Sequence, residues 1–184
     1  MAAALPDSQT PKGRTVYATC GLSFSGKSTA ARTLARRIGA DLIALDAINH
    51  ERGLRGGEGI PDSEWEKTSA IAMARLAGSL RAGRDGVVDD TFSHRFLRER
   101  CRKVAAEGGA RFVLLFLDTP LDTIAARRAA NAVAPVRHAV RDEVFEHHRA
   151  RFEFPGPDED PVRLTTPAEF EAWLAGVHVD RTAR

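Results

Sequence analysis

Residues 15–28 join a short apolar run to the pattern GxxxxGK[ST], whose fixed positions are Gly21, Gly26, Lys27 and Ser28. The two glycines allow the backbone to curl so that successive N–H groups point at one anion. A lysine at this spacing reaches the outer phosphates of a nucleotide, and the hydroxyl after it ligates Mg²⁺. The residues that follow are good helix formers, so the helix N-terminus should face the same anion. The sequence therefore predicts a strand, a phosphate-binding loop and a helix in succession.

This loop is the predicted binding site for ATP and its Mg²⁺. The alternative, a chance match in a glycine-bearing turn, would lack the strand before it and the helix after it. The residues expected to hold the nucleotide lie in the loop and the first helical turn, joined by two arginines farther along the chain. They are Gly21, Ser23, Phe24, Ser25, Gly26, Lys27, Ser28, Thr29, Arg127 and Arg128.

Length and composition limit the classes of protein to which the chain can belong. A chain of 184 residues suits one compact domain, expected over 14–179 with flexible ends at 1–13 and 180–184. Twenty-seven basic against 25 acidic residues give a net charge of +2, which is no general signature of nucleic-acid binding. The two cysteines form no disulfide framework, and the chain carries neither a signal-peptide pattern nor a membrane-length apolar run. We therefore expect a cytoplasmic protein with no membrane partner and leave its oligomeric state open.

Strand-like and helix-like segments alternate along the chain. The alternation predicts an α/β fold of three layers, α/β/α, with a five-stranded parallel sheet. Two helix starts resemble N-caps, with Thr119 and Thr166 each followed by proline and then an acid. The expected strands are 15–20, 42–45, 86–89, 112–117 and 162–165, and the expected helices are 27–39, 63–82, 93–107, 120–132, 138–151 and 167–175.

Acidic residues follow two of the expected strands, and parallel α/β sheets bind ligands at these carboxyl ends. Asp46 is placed to accept the proton of a hydroxyl that attacks phosphorus, the alternative role being a helix N-cap for 47–53. Asp89 closes an apolar strand, a position suited to holding Mg²⁺ together with Ser28. Asp90 is either a turn residue or a partner for substrate hydroxyl groups.

Arginines are the remaining candidates for contacts with phosphate or with the acceptor. Arg127, Arg128 and Arg137 follow the fourth strand, and we expect at least one of them to contact phosphate. The glycine-rich stretch 51–62 is typical of an acceptor loop or lid, in which Arg52 and Arg55 would contact the acceptor, or else of a disordered surface loop.

Two other groups of residues, a set of arginines and a pair of histidines, do not indicate a functional site. The arginines of helix 93–107, Arg98 among them, are typical of a solvated helix face. His147 and His148 are adjacent on a helix, so their side chains diverge and do not suit a shared metal.

With these residues assigned, the chain resembles the small P-loop kinases with a nucleoside-monophosphate-kinase-like core. Within them it is most similar to the branch of zeta toxins, chloramphenicol phosphotransferase and the kinase domain of polynucleotide kinases. The resemblance runs from about residue 15 to 175 and rests on the order of the phosphate loop, Leu-Asp46, Val-Val-Asp89-Asp90-Thr91 and Arg127-Arg128. It implies that Asp46 deprotonates the acceptor hydroxyl, that Lys27 is catalytic, and that Arg128 or Arg137 closes as a lid.

The implied function is an ATP-dependent phosphotransferase acting on a hydroxyl of a small molecule such as an antibiotic, a nucleoside or a sugar-like metabolite. A polynucleotide 5′-hydroxyl kinase and a zeta-toxin-like sugar-nucleotide kinase are alternatives. The first is less favoured because Phe92 stands where polynucleotide kinases usually carry Asn. A third alternative is a nucleotide-binding regulatory protein without acceptor chemistry, which would have no use for Asp46.

Overall fold

The computed structural model describes residues 13–54, 59–135 and 138–177. Arg55 and Arg137 lie outside the described residues, as do the expected flexible ends apart from residue 13. The prediction of a domain over 14–179 with flexible ends stays a prediction.

The described residues alternate between strands and helices, as expected. The strands are β1 (Thr15–Cys20), β2 (Asp41–Ala44), β3 (Gly86–Asp89), β4 (Arg111–Leu117) and β5 (Val162–Leu164). The helices are α1 (Lys27–Ile38), α2 (Leu45–Glu51), α3 (Asp62–Arg81), α4 (Arg95–Glu107), α5 (Leu121–Val133), α6 (Asp142–Ala150) and α7 (Pro167–Ala175).

All five strands are parallel, in the order β2-β3-β1-β4-β5. The three-layer α/β fold is therefore confirmed. Because β1 lies at the centre, with β3 and β4 on its two sides, the direction of winding switches there. Parallel sheets bind ligands beyond the carboxyl end of the strands at such a switch.

Side chains of β1 alternate between two cores. Val16, Ala18 and Cys20 enter a core shared with α3 and α4. Tyr17, on the opposite face, packs in a core with α1 and α7. The alternation follows from the period of two along a strand, and helices on both faces bury every residue of the central strand β1.

Helix α2 was expected only in the alternative that made Asp46 the N-cap of a helix over 47–53. It begins at Leu45, directly after β2, because Leu45 and Ile48 on one helical face are both buried in the core of α3 and α4. The expected strand 42–45 is correspondingly displaced by one residue, and α6 begins at Asp142 rather than at 138.

One of the two expected N-caps is correct. The Thr166 hydroxyl accepts a hydrogen bond of 3.2 Å from the Glu169 N–H at the start of α7. Thr119 is not the N-cap of α5, since that helix begins at Leu121 with Pro120 at the cap position. The Thr119 hydroxyl bonds the phosphate-binding loop instead, as described below.

Within the described residues, no helix has both the length and the apolar character needed to cross a bilayer.

Candidate active site

The register of three neighbouring strands brings the predicted site residues together. Thr19 of β1 lies beside Asp89 of β3, which in turn lies beside Ala44 of β2. Two residues beyond Ala44 is Asp46, and one beyond Asp89 is Asp90. The phosphate-binding loop, the proposed base and both acids after β3 therefore meet at one edge of the sheet.

The loop backbone adopts conformations that favour glycine at its two fixed ends. Gly21 has a φ of +146°, and a Cβ there would lie 2.6 Å from the Leu117 carbonyl oxygen at the end of β4. Gly26 has a φ of +103° immediately before α1. Phe24, with a φ of +66°, takes a left-handed conformation that a bulky residue rarely adopts. The loop is thus a tight cradle held in a strained shape.

Two side chains from the β4–α5 region hold this cradle. The Thr119 hydroxyl donates to the Ser25 carbonyl oxygen at 2.8 Å, and Arg127 Nη1 donates to the Phe24 carbonyl oxygen at 3.0 Å. Both bonds satisfy loop carbonyl groups and hold the loop against the segment that follows β4. No sequence pattern indicated this contact of Thr119, which was expected only to cap α5.

The lysine and the helix end carry the positive charge. Lys27 is only 7% exposed, and its ammonium group donates to the Leu22 carbonyl oxygen at 2.8 Å. Helix α1 also begins at Lys27, so the positive end of its dipole lies beside the same ammonium group. The Ser25 hydroxyl in this loop is buried without a hydrogen-bond partner among the described residues. Such a site matches an anion with several oxygens, as a triphosphate has.

Ser28 and Asp89 form the predicted pair for Mg²⁺. The Ser28 hydroxyl bonds the Asp89 carboxylate, and Thr19 Oγ1 lies 3.4 Å from Asp89 Oδ1. Burial raises the pKa of Asp89, while the Ser28 bond and the Lys27 charge oppose the rise. One carboxylate and one hydroxyl fit an ion that takes its other ligands from phosphate and water. Bound there, Mg²⁺ would neutralise charge on the phosphate oxygens.

Asp46 is an exposed carboxylate in the first turn of α2 and lines the cleft. Its charge contributes to the raised pKa of Asp89, which places the two acids within electrostatic range. The N-cap of α2 is Ala44, so the capping alternative for Asp46 is wrong. Among the described residues this carboxylate forms no ion pair, and an accessible carboxylate beside the metal-binding pair has the position that a general base requires.

Asp90 is enclosed on the same edge of the sheet. Burial raises its pKa to about 6, against the opposing effects of backbone bonds from Thr91 and Phe92 and of the Lys27 charge. A carboxylate with perturbed pKa beside the loop lysine is typical of a functional group.

The predicted arginines among the described residues contact different parts of the structure. Arg127 lines the cleft beside the loop. Arg128 bonds the Val140 carbonyl at 3.1 Å and Asp142 at 2.5 Å, and its guanidinium lies 4.3 Å from the centre of the Phe145 ring. Arg52 donates to the Glu64 carbonyl at 2.7 Å and forms an ion pair with the Glu64 carboxylate. The structure therefore brings Arg127 to the loop and gives Arg128 and Arg52 contacts within the helical layer.

A cleft of about 850 Å³ extends from the loop past α5 to the β5–α7 connection. This volume is ample for a nucleoside joined to the phosphates. Several residues that line the cleft lie far along the chain from the loop, so the loop pattern does not indicate them. The only sequence signal for them is that some follow β4 and β5, whose carboxyl ends lie at the ligand-binding edge of a parallel sheet. They are Thr119, Asn131, His138, Leu164, Thr166 and Phe170.

Known proteins are similar to this chain in part of its sequence or in its architecture. A shikimate kinase from Nitratidesulfovibrio vulgaris is 32% identical over 133 residues, which span 69% of this chain and 73% of that protein. An adenylyl-sulfate kinase from Citrobacter koseri is 36% identical over 121 residues, 63% of this chain and 58% of that protein. A sugar kinase structure from Janibacter sp. HTCC2649 has a TM-score of 0.64 at 21% identity and covers 89% of this chain and 93% of that chain. This last likeness shows the shared fold.

The AAA_33 family, an AAA domain, matches residues 16–155, well over half of the chain. The matched range contains the phosphate-binding loop, Asp46, Asp89 and Asp90. This match, the two kinase relatives and the five-stranded parallel sheet together show that the chain belongs to the AAA_33 family of P-loop kinases.

Proposed function

We propose that this protein is an ATP-dependent, Mg²⁺-dependent phosphotransferase that phosphorylates a hydroxyl group of a small molecule. The observation that carries the proposal is the meeting of Asp46 with the loop lysine and the Ser28–Asp89 pair at one edge of the sheet. A protein that only bound nucleotide would need the loop and the metal pair but no accessible carboxylate opposite them. The resemblance to antibiotic, nucleoside and sugar kinases supplies the expected acceptors.

In the proposed reaction, Asp46 accepts the proton of the acceptor hydroxyl as its oxygen forms a bond to the γ-phosphorus. The bond between that phosphorus and the β–γ bridging oxygen breaks, and ADP leaves with the electron pair. Lys27, the α1 N-terminus and Arg127 stabilise the negative charge on the phosphate oxygens. Asp46 then releases its proton to solvent.

The relatives do not decide the acceptor or the finer branch. The shikimate and adenylyl-sulfate kinases act on different small molecules, as their names state. Kinship with zeta toxins or polynucleotide kinases stays a prediction from the resemblance. A nucleic-acid end is the less favoured acceptor because the chain's net charge is only +2.

Replacement of Asp46 by Asn tests the proposal. A screen of hydroxylated compounds for acceptor-dependent ADP release should identify the acceptor, and on it Asp46→Asn should reduce turnover about 100-fold or more. ATP affinity, measured by calorimetry, should change little, because the loop and the metal pair are intact.

Asp122→Asn is the matched control, since Asp122 is also an exposed acid in the first turn of a helix. It should have the turnover of the unaltered protein. Full turnover in Asp46→Asn would refute the base assignment. ATP binding without any acceptor-dependent ADP release would instead favour a regulatory nucleotide-binding protein.

A further inference from the structure

An arginine on α1 lines the cleft together with the proposed base. Arg32 lies on α1 and Asp46 in the first turn of α2, and both line the cleft. Helix α1 packs against β2 and β3, and α2 follows β2 directly, so the two side chains come from neighbouring elements. Both residues are exposed, and neither forms an ion pair among the described residues. A guanidinium group and a carboxylate therefore face one space without pairing to each other.

The position of Arg32 along α1 places it beside the metal-binding pair. Arg32 is four residues after Ser28, so the two lie on one helical face, and helical side chains lean towards the N-terminus. Burial raises the pKa of Asp89, the charge of Asp46 adds to the rise, and the charge of Arg32 opposes it. The geometry of the helix and the charges on Asp89 thus agree that Arg32 and Asp46 lie near the same carboxylate.

The phosphates of ATP have other cationic partners. They belong at the N-terminus of α1, where the loop, Lys27 and Mg²⁺ on the Ser28–Asp89 pair would face them. The Cα atom of Arg32 lies about 6 Å farther from the loop along the helix axis than that of Ser28. Its charge is therefore available to a group on the far side of the metal-binding pair from the loop.

Other arginines of the predicted site have carboxylate partners. Arg52, at the C-cap of α2, pairs with Glu64, and Arg128 of α5 pairs with Asp142. Arg32 has no such partner among the described residues, although it lines a cleft that also contains a carboxylate. A guanidinium group is charged at any physiological pH, and its planar donors match two oxygens of a carboxylate or phosphate. An anionic ligand group would supply the missing partner.

We propose that Arg32 and Asp46 together select the acceptor, a small molecule that carries a carboxylate or phosphate group near the hydroxyl that is phosphorylated. Asp46 accepts the proton of that hydroxyl, while Arg32 binds two oxygens of the anionic group. A neutral acceptor would leave the guanidinium group without a partner in the cleft. The inference rests on the proposed kinase activity and names its substrate class.

Acceptors offered as charged and neutral pairs provide the first test. Glucuronate with glucuronamide tests a carboxylate, glycerol 3-phosphate with glycerol tests a phosphate, and each further compound in the screen is paired in the same way. Acceptor-dependent ADP release is measured with the full chain, ATP and Mg²⁺. We expect kcat/KM for the anionic member to exceed that for the neutral member at least 10-fold, in whichever pair is phosphorylated.

The second test removes the charge of Arg32. Arg32→Gln should raise KM for the anionic acceptor about 10-fold or more, with KM for ATP and the reaction of the neutral member unchanged. Arg32→Lys, which keeps the charge, should recover part of the loss. Arg36→Gln is the matched control, because Arg36 is exposed one turn farther along α1 and does not line the cleft. A thermal melt of each variant shows whether the protein is still folded.

The outcomes separate the inference from the function. Preferred transfer to the neutral members, or equal losses of Arg32→Gln on both members of a pair, would overturn the inference while leaving the kinase activity established. A raised KM for ATP in Arg32→Gln would assign the arginine to the nucleotide and overturn it too. ATP binding without transfer to a compound of any charge would overturn the proposed function itself, and the inference with it.

Discussion

At Gly21 the phosphate-binding loop passes close to the backbone of another strand. Its φ of +146° and the 2.6 Å between a would-be Cβ and the Leu117 carbonyl oxygen leave no room for a side chain. The contact is with backbone at the end of β4, which cannot move without disturbing the centre of the sheet. The shape of the loop therefore depends on a glycine here as much as on the lysine that follows.

Gly21→Ala should consequently weaken ATP binding at least 10-fold and lower the free energy of unfolding by about 1–3 kcal/mol. Calorimetric titration with ATP and urea denaturation measure the two effects. Gly39→Ala is the control, because Gly39 also has a positive φ, of +71°, but a Cβ there would meet nothing within 4 Å. It should cost stability of about 1 kcal/mol and leave ATP affinity intact. Equal ATP affinity in both variants would contradict the argument.

Helix α5 carries two adjacent arginines that bond different parts of the structure. Successive side chains on a helix diverge by about 100°, so Arg127 and Arg128 cannot serve the same site. Arg127 bonds the Phe24 carbonyl of the loop, whereas Arg128 bonds α6 through Asp142 and covers Phe145. The helix thereby connects the nucleotide cleft to α6.

We expect Arg127→Ala to weaken ATP binding about 10-fold, since the arginine both holds the loop and lines the cleft. Arg128→Ala should instead lower the stability by about 1–2 kcal/mol and leave ATP affinity unchanged, because it removes an ion pair and a cation–π contact. Equilibrium titration and thermal melts distinguish the two. If Arg128→Ala kept its stability and ATP affinity but lost phosphoryl transfer, the catalytic role implied by the resemblance would be correct.

Across the whole molecule, a buried ion pair joins α4 to the segment after α6. Arg98 and Glu159 are 1% and 2% exposed, and Arg98 also donates to the Phe92 carbonyl at 2.8 Å and to the Glu153 carbonyl at 2.9 Å. The pair thus fixes the turn after β3, which carries Asp90, against the chain that follows His148. The expectation of a solvated arginine face on this helix is wrong at Arg98.

Arg98→Ala should destabilise the fold by about 3–5 kcal/mol, because Glu159 would remain buried without its cation. Arg95→Ala, which breaks an exposed pair with Asp158, should cost less than about 1 kcal/mol. Urea denaturation measures both, and similar losses in the two variants would contradict the argument.

The effect of Arg98→Ala should also depend on pH. The bond to Arg98 holds the pKa of Glu159 below its ordinary value of 4.5. Its contribution to stability is therefore complete above that pH and is lost as the pH falls through the lowered pKa of the folded state. The stability difference between the two proteins should accordingly shrink below about pH 4.5, and a constant difference down to pH 3 would refute this linkage.

The sequence alone predicted the parallel α/β sheet, the phosphate-binding loop and the three acids that follow β2 and β3. These depend on local properties, namely the strand and helix periods and the glycines of a tight turn, and on the rule that parallel strands end together. The tertiary structure decided the contacts of Thr119, Arg98 and Arg127. Arg98 bonds Glu153, 55 positions away along the chain, and Arg127 bonds Phe24, 103 positions away. Such contacts come from the packing of separate elements, which no local sequence pattern encodes.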